Sequence, residues 1–260
     1  APELRDHPAL LAWSLGNEPD LFCRTPTDAV GRDWMRIMSD TLHDADPNHP
    51  VTIGFHTASL DANNGLRVDH AAQVTDLSVM HGYSIYHPLA RGPLDPDWLP
   101  FTAALTAALA RRPVLYEEFG LCTWFDGDKP SGSLDMTPFP NQPRRQFFAS
   151  QQDAAAWYAA VLPRLHRQGC LGAFAWCFAD YAPHLWDKPP CDTVLHERSF
   201  GLFHADGSPK PLAKIIQNFA ATAPKIRPPE KPLLLPISPD DYYRNAWQNI
   251  GNLYRRFGSM

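Results

Sequence analysis

The chain has 260 residues, of which 44% are hydrophobic and 12% aromatic, and its formal net charge at pH 7 is −5. This composition excludes a disordered protein, and the lack of a basic stripe argues against nucleic acid as a partner. No apolar run approaches the roughly 18 residues of a membrane span, so we expect no membrane association.

A short apolar strand, a polar turn and a helix follow one another repeatedly along the chain. The predicted strands are Leu10–Gly16, Pro50–Phe55, Asp76–Ser84, Pro113–Gly120 and Cys170–Tyr181. Apolar residues at helical spacing lie between them, first at Val30, Trp34, Ile37 and Met38, with Thr27 or Asp28 as the N-cap. Further helices are predicted at Pro96–Arg112, from about Arg145 to Gln168, and around Leu212–Phe219. Alternation of helices with wholly apolar strands predicts a parallel sheet covered on both faces.

Two long loops follow the fourth and fifth strands, from Leu121 to about Pro143 and from Ala182 to Ser199. Loops of this length are often functional rims. A calcium site within Asp126–Asp135 is disfavoured because Pro130 stands where an oxygen ligand is needed.

The sequence predicts two domains. The first is a catalytic unit over 1–222, and the second is a proline-rich linker with a tail helix over 223–260.

The five cysteines contain no C-x-x-C pair, so no zinc or redox motif is indicated, although a single disulfide is possible. No glycine-rich turn joins a strand to a helix, which argues against a dinucleotide site. The first residues lack the charged and apolar segments of a secretory signal. We therefore predict no metal and no cofactor.

Polar residues follow the strands at the ends where parallel α/β proteins carry their active sites. Asn17 and Glu18 follow the first strand, and Glu118 lies at the end of the fourth. Two carboxylic acids from different strands suit glycoside hydrolysis, in which one must be protonated and the other ionised. Asn17 would hold a sugar hydroxyl; the alternative for Asn-Glu-Pro is a simple turn or helix cap.

Three further residues have both a functional and a structural interpretation. His81 and Tyr83, after the third strand, would orient the second carboxylate and keep it charged, whereas the structural alternative for His81 is a buried histidine bonded to a carbonyl. Trp176 would form the floor beneath a sugar ring or simply belong to the core. Because side chains alternate along a strand, Glu117 is expected to face the helices and to pair with Arg111 or Arg112.

The segment "DHPALLAWSLGNEPD" and the later "PVLYEEFG", whose Glu118 follows Glu18 by 100 residues, resemble the core of the retaining β-glycosidases built on (β/α)8 TIM barrels. They most resemble glycoside hydrolase family 5, the cellulase and β-mannanase group. The resemblance implies that Glu18 is the acid/base and Glu118 the nucleophile. It also implies substrate-binding roles for Asn17, His81, Tyr83 and Trp176, and an oligo- or polysaccharide substrate. It covers roughly residues 1 to 222.

The five predicted strands resemble strands four to eight of such a barrel, while strands one to three are not found. The fold class is therefore an apparently incomplete TIM barrel. Open barrel edges favour self-association. We expect the chain to be part of a longer protein and to show little activity alone unless another chain completes the barrel. The alternative function is a carbohydrate-binding barrel fragment without catalysis.

Overall fold

The computed structural model describes residues 3–124, 131–139 and 142–258. The strands are β1 (Trp13–Asn17), β2 (Val51–Gly54), β3 (Ser78–Gly82), β4 (Val114–Phe119), β5 (Gly132–Phe139), β6 (Gln142–Phe148) and β7 (Gly172–Ala175). The helices are α1 (Pro19–Phe22), α2 (Asp28–Ala45), α3 (Ala58–Asp61), α4 (Val68–Ala71), α5 (Trp98–Ala110), α6 (Gln151–Arg167), α7 (Pro211–Ala221), α8 (Pro239–Arg244) and α9 (Ala246–Phe257). Two 3₁₀ turns cover Pro183–Leu185 and Leu195–Ser199.

All five predicted strands are present, and they form a parallel arc in chain order. β1 pairs with β2, β3 pairs with β4, and β4 pairs with β7, each in parallel. Backbone hydrogen bonds join the second and third strands: the Asp76 N–H donates to the Val51 carbonyl at 2.8 Å, and the His81 N–H donates to the Phe55 carbonyl at 2.7 Å. The carboxyl ends of the five strands therefore point to the same side.

The inner strands of the arc are more deeply buried than the outer ones. Every residue of β2 and β3 is buried, whereas no residue of β1 or β7 is. Within the described ranges, β1 and β7 each pair with one strand only. Phe174 in β7 is 48% exposed, and Phe178 just after it is 74% exposed. The two ends of the arc thus present apolar surface at unpaired strand edges.

Helix α2 begins as predicted but packs differently from the prediction. The Thr27 hydroxyl caps it by accepting a hydrogen bond from the Val30 N–H at 3.3 Å. The apolar face that the sequence predicts for packing is partly in solvent, with Val30 48% and Ile37 54% exposed. The buried residues of this helix are Gly31, Met35 and Ser39. The apolar spacing of α2 therefore marks a face that the described part of the chain covers only in part.

The predicted loop after the fourth strand contains an antiparallel hairpin, β5–β6. Because residues 142–148 are paired with β5, helix α6 begins at Gln151 rather than near Arg145. The Ser150 hydroxyl caps α6 by accepting a hydrogen bond from the Asp153 N–H at 3.0 Å. The first half of the calcium-like segment considered from the sequence, residues 126–130, lies outside the described residues.

The tail helix predicted from the sequence is present as α8 and α9, and both pack into the main hydrophobic core. The Tyr242 hydroxyl donates to the Leu60 carbonyl at 2.7 Å, and the Tyr243 hydroxyl donates to the Ser59 carbonyl at 2.9 Å. Ile250 in α9 is fully buried. The tail thus covers the outer side of α3 and shares its core, while the division of the chain at residue 222 stays a prediction.

Among the described residues, no helix combines the length and apolar character needed to cross a membrane. The five cysteines all lie within the described ranges, and all are free thiols. The single disulfide considered from the sequence is therefore not formed.

Candidate active site

A cavity of about 710 Å³ opens where the carboxyl ends of the strands converge. Five of the six residues predicted for the site line it: Asn17, Glu18, Tyr83, Glu118 and Trp176. The sixth, His81, is buried directly behind the two glutamates, with 1% of its surface exposed. The structure thus brings together residues that lie up to 159 positions apart in the sequence.

Glu18 is placed by a strained backbone at the end of β1. Its φ of 48° and ψ of 45° lie in the left-handed region, which residues other than glycine seldom adopt. The Glu18 N–H donates to the Gly54 carbonyl at 2.8 Å, and Pro19 then starts α1. The buried Asp20 carboxylate fixes this turn by accepting hydrogen bonds from the backbone N–H groups of His56, at 3.0 Å, and Ser59, at 2.9 Å. Backbone strain of this kind clusters at functional sites.

The two predicted catalytic acids face each other. One carboxylate oxygen of Glu18 lies within 4.8 Å of one of Glu118. The Tyr83 hydroxyl donates a hydrogen bond to Glu118 at 2.8 Å, which fixes the orientation of this carboxylate. Carboxyl groups of retaining glycosidases lie about 5–5.5 Å apart, while those of inverting enzymes lie about 6.5–9.5 Å apart.

His81 connects the acids from behind. Its Nδ1 lies 3.0 Å from Glu18 and 3.6 Å from Glu118, and its Nε2 lies 3.3 Å from Glu117. Burial opposes a charge on this ring, but the hydrogen bonds to Glu117 and Glu18 and the charge of Glu118 raise the pKa of His81 to about 9. His81 is therefore a cation at neutral pH, rather than the carbonyl-bonded buried histidine of the structural alternative.

The prediction for Glu117 is wrong. Its partner is His81 rather than Arg111 or Arg112, because the strand register shifts between Tyr116 and Phe119 and interrupts simple alternation. Tyr116 faces the helix layer instead, with its hydroxyl 2.9 Å from that of Thr102 in α5. Both glutamates therefore lie on the inner side of the strand.

The surroundings shift the pKa values of the two acids in opposite directions. Burial alone would raise the pKa of Glu18, but the His81 hydrogen bond and the nearby charge of His56 hold it below its ordinary value. Burial raises the pKa of Glu118 above its ordinary value, although the His81 charge opposes this. The family resemblance places the proton on Glu18, so these directions run opposite to that assignment for the protein alone.

Glu18, His81 and Glu118 also form a group whose potential ligand atoms all lie within 4.8 Å of one another. A metal ligand needs a free lone pair on the imidazole, as in neutral histidine. Both ring nitrogens of His81 face carboxylates, and its raised pKa favours the protonated ring. The chemistry of this donor set therefore fits a charge-compensated acid pair better than a metal centre.

Sequence reasoning missed several residues that line the cavity: His56, Tyr86, Gln146, His196 and Glu197. Gln146 belongs to the unexpected strand β6, and the last two belong to the loop after β7. The sequence signal for Gln146, His196 and Glu197 was at most the length of the two loops, whereas His56 and Tyr86 could have been found from their positions just after the second and third predicted strands. Trp124, Asp180, Tyr181 and Trp186, which lie in or beside the two long loops, do not line this cavity.

Comparisons with known proteins agree with the fold. The family model described as "Glycosyl hydrolases family 2, TIM barrel domain" matches residues 3–223. Mannan endo-1,4-beta-mannosidase F of Aspergillus clavatus is 30% identical over 129 residues, which are 45% of this chain and 29% of that protein. Beta-glucuronidase of Chlorocebus aethiops is 23% identical over 215 residues, covering 82% of this chain and 29% of that protein.

Among solved structures, GH5_18 from Streptomyces cattleya in complex with GlcNAc superposes with a TM-score of 0.75 at 19% identity. The match covers 98% of this chain and 60% of that one. A second structure of that enzyme, in complex with Manb1-4GlcNAc, gives a TM-score of 0.74. The chain spans less than a third of the length of the two curated relatives, the mannan endo-1,4-beta-mannosidase F and the beta-glucuronidase.

The fold is therefore that of a TIM-barrel glycoside hydrolase, as the sequence predicts. The chain belongs to the glycosyl hydrolase family 2 TIM barrel domain family.

Proposed function

We propose that this chain carries the active site of a retaining β-glycoside hydrolase. The observation that supports it best is the approach of the Glu18 and Glu118 carboxylates to within 4.8 Å at the mouth of the strand arc. This distance lies closer to the carboxyl separation of about 5–5.5 Å in retaining enzymes than to that of about 6.5–9.5 Å in inverting ones.

In the first step, Glu18 donates a proton to the glycosidic oxygen while a Glu118 oxygen attacks the anomeric carbon. The C–O bond to the leaving group breaks and a glycosyl–Glu118 ester forms. In the second step, Glu18 removes a proton from water, whose oxygen attacks the anomeric carbon and releases Glu118. No cofactor is required for this sequence.

The proton must lie on Glu18 when a glycoside is bound. A sugar over Glu118 places the developing positive charge of the anomeric carbon beside that carboxylate, which favours its ionised form. An ionised Glu118 in turn raises the affinity of Glu18 for the proton. The Nδ1 of His81, at 3.0 Å and 3.6 Å from the two acids, compensates part of the charge in either distribution.

The substrate class that we favour is a β-mannoside. A curated relative is named as a mannan endo-1,4-beta-mannosidase, and a structural neighbour was solved with Manb1-4GlcNAc. These relatives also support the resemblance to the β-mannanases of family 5. A β-glucan is the second substrate class that the sequence allows. Asn17 and Trp176 line the cavity, where they are positioned to contact a sugar hydroxyl and a sugar face.

We also propose that the five parallel strands correspond to strands four to eight of the barrel. Barrels of this class have eight strands, and β1 and β7 each have one open edge in the described part of the chain. The remaining strands would come from a further segment or a second chain. Tests of activity therefore use the full-length natural protein.

Replacing each glutamate by alanine and adding azide tests the two roles. Glu118→Ala should reduce kcat on an aryl β-mannoside by about 10⁴-fold or more, and azide should restore turnover as the α-mannosyl azide. Glu18→Ala should lose about 10²–10⁴-fold, and azide should give the β-mannosyl azide. Glu230→Gln, at an exposed position of the tail, is the control. If the two variants gave the opposite azide products, Glu18 would be the nucleophile and Glu118 the acid/base. Unimpaired turnover by both variants would refute the proposal.

A further inference from the structure

Glu197 is a third carboxyl group in the cavity, and the proposed reaction does not use it. It lies on the 3₁₀ turn Leu195–Ser199 after β7, and its side chain is 26% exposed. Burial raises its pKa, the negative charges of Glu118 and Glu18 add to this, and a hydrogen bond from Trp176 opposes them. Glu197 therefore lies next to the proposed sugar platform and within electrostatic reach of both catalytic acids.

The turn that carries Glu197 is fixed on its C-terminal side. The Ser199 carbonyl accepts hydrogen bonds from the Thr123 N–H at 3.0 Å and from Lys210 Nζ at 3.2 Å. The neighbouring Arg198 donates from its guanidinium to the carbonyls of Cys191, at 2.8 Å, and Trp186, at 3.0 Å. These contacts fix the backbone that carries Glu197, and a site held in place before binding loses less entropy when a ligand is bound.

The charge of the cavity limits which sugars it accepts. Its described lining contains the carboxyl groups of Glu18, Glu118 and Glu197 and no lysine or arginine. Carboxyl oxygens accept hydrogen bonds from sugar hydroxyl groups. A uronic acid would instead bring another negative charge into a partly desolvated site, where like charges are strongly unfavourable.

On the basis of the proposed function, we propose that Glu197 is a specificity-determining residue. It accepts hydrogen bonds from the hydroxyls of a neutral sugar above Trp176, and its negative charge excludes uronides. The structural alternative is a partly buried pair with His196, whose Nε2 lies 3.6 Å from Glu197 Oε1. The specificity role and the pair with His196 predict different results, because only the specificity role makes binding depend on the charge of the ligand.

The test measures ligand binding, so that it does not depend on turnover. Isothermal titration calorimetry on the full-length protein carrying Glu118→Gln would compare an aryl β-mannoside with the matching aryl β-glucuronide. We expect the mannoside to bind at least tenfold more tightly. Adding Glu197→Gln should weaken mannoside binding by about 10-fold or more and should weaken glucuronide binding less or strengthen it. Asp192→Asn removes an exposed carboxylate from the same loop outside the cavity lining and should change neither value.

An unchanged ratio of the two dissociation constants in Glu197→Gln would overturn the proposal, as would equal weakening of both ligands together with a lower Tm. Failure of the mannoside to bind at all, or tighter binding of the glucuronide, would also overturn it. The proposed catalytic function is tested separately, by turnover of a β-glycoside with Glu118 intact and by the effects of replacing Glu18 and Glu118.

Discussion

His81 determines the charge balance of the site at the scale of single residues. One buried imidazolium contacts three glutamates, of which two are the proposed catalytic pair. A cation among three carboxylates leaves a net negative cluster, in which the protonation of Glu18 and that of Glu118 depend on each other. The pH dependence of catalysis should therefore respond directly to this ring.

Replacing His81 by glutamine should move the whole pH profile of kcat/KM toward alkaline pH. His81 lowers the pKa of Glu18 through a hydrogen bond and that of Glu118 through its charge, so its loss raises both values. The acid limb and the basic limb should therefore both shift upward, with a lower maximum rate. Steady-state kinetics on an aryl glycoside from pH 4 to 10 would measure this.

His43→Gln removes a histidine that pairs with Asp76 away from the cavity and serves as the control. A profile of His81→Gln that moves toward acid pH, or does not move, would contradict the role assigned to His81.

The site residues that the sequence could predict are those tied to a strand end. Asn17, Glu18 and Glu118 directly follow or complete apolar strands, so their common location follows from a parallel sheet. Glu117 could not be placed, because a shift of strand register between Tyr116 and Phe119 reverses its expected direction. Glu197 lies in a loop whose path depends on tertiary hydrogen bonds, which leave no periodic pattern in the sequence.

At the scale of elements, the loop after β7 depends on one buried ion pair. Lys210, just before α7, is 2% exposed and donates to Asp180 at 2.6 Å and to the Thr123 hydroxyl at 2.9 Å. The same Nζ reaches the Ser199 carbonyl next to the Glu197 turn. Burial lowers the pKa of Lys210 and raises that of Asp180, so each charge depends on the other.

Lys210→Met should lower the free energy of unfolding by about 3–5 kcal/mol, because it leaves Asp180 buried without its partner. Adding Asp180→Asn should recover part of this loss, since the asparagine oxygen can still accept the Gly201 N–H. Urea denaturation of each variant would measure it. Lys214→Met, at an exposed position of α7, is the matched control. A loss no larger than that of the control would show that the ion pair does not support the loop.

Elements with strong periodicity were predictable, and the β5–β6 hairpin was not. The five strands are found where apolar runs predict them, although β7 ends at Ala175, well before the predicted end at Tyr181. The hairpin strands contain prolines at Pro138 and Pro143 and many polar residues, so their sequence resembles a loop. Because these residues form the hairpin, α6 begins at Gln151 rather than at about Arg145, where the sequence predicts its start.

At the scale of the whole molecule, apolar surface is concentrated at the two ends of the strand arc. Trp34 and Ile37 are exposed on α2 near β1, and Phe178 is exposed after β7. Sequence periodicity identified the apolar face of α2, but it cannot show whether a neighbour covers that face. The correspondence with strands four to eight would explain both surfaces as contacts of the remaining barrel.

The 260-residue chain alone should self-associate through these ends. Light scattering coupled to size exclusion should give a mass above 29.1 kDa that rises with concentration. Trp34→Glu combined with Phe178→Glu should return the mass toward the monomer, because a charge in each apolar surface opposes its burial. Trp247→Glu, at a 50% exposed tryptophan of α9, should leave the association intact. A monomeric parent chain at high concentration would contradict this prediction.

Covalent trapping is the most direct test of the central claim, that Glu18 and Glu118 act on one sugar from opposite sides. The full-length protein would be incubated with 2-deoxy-2-fluoro-β-mannosyl fluoride, which slows hydrolysis of a glycosyl-enzyme, and then digested for peptide mass spectrometry. The predicted result is one fluorosugar on Glu118, within the β4 peptide, and none on the Glu118→Gln variant. A label on Glu18, Glu117 or Glu197, or turnover of β-mannosides with no covalent adduct and inverted product, would contradict the claim.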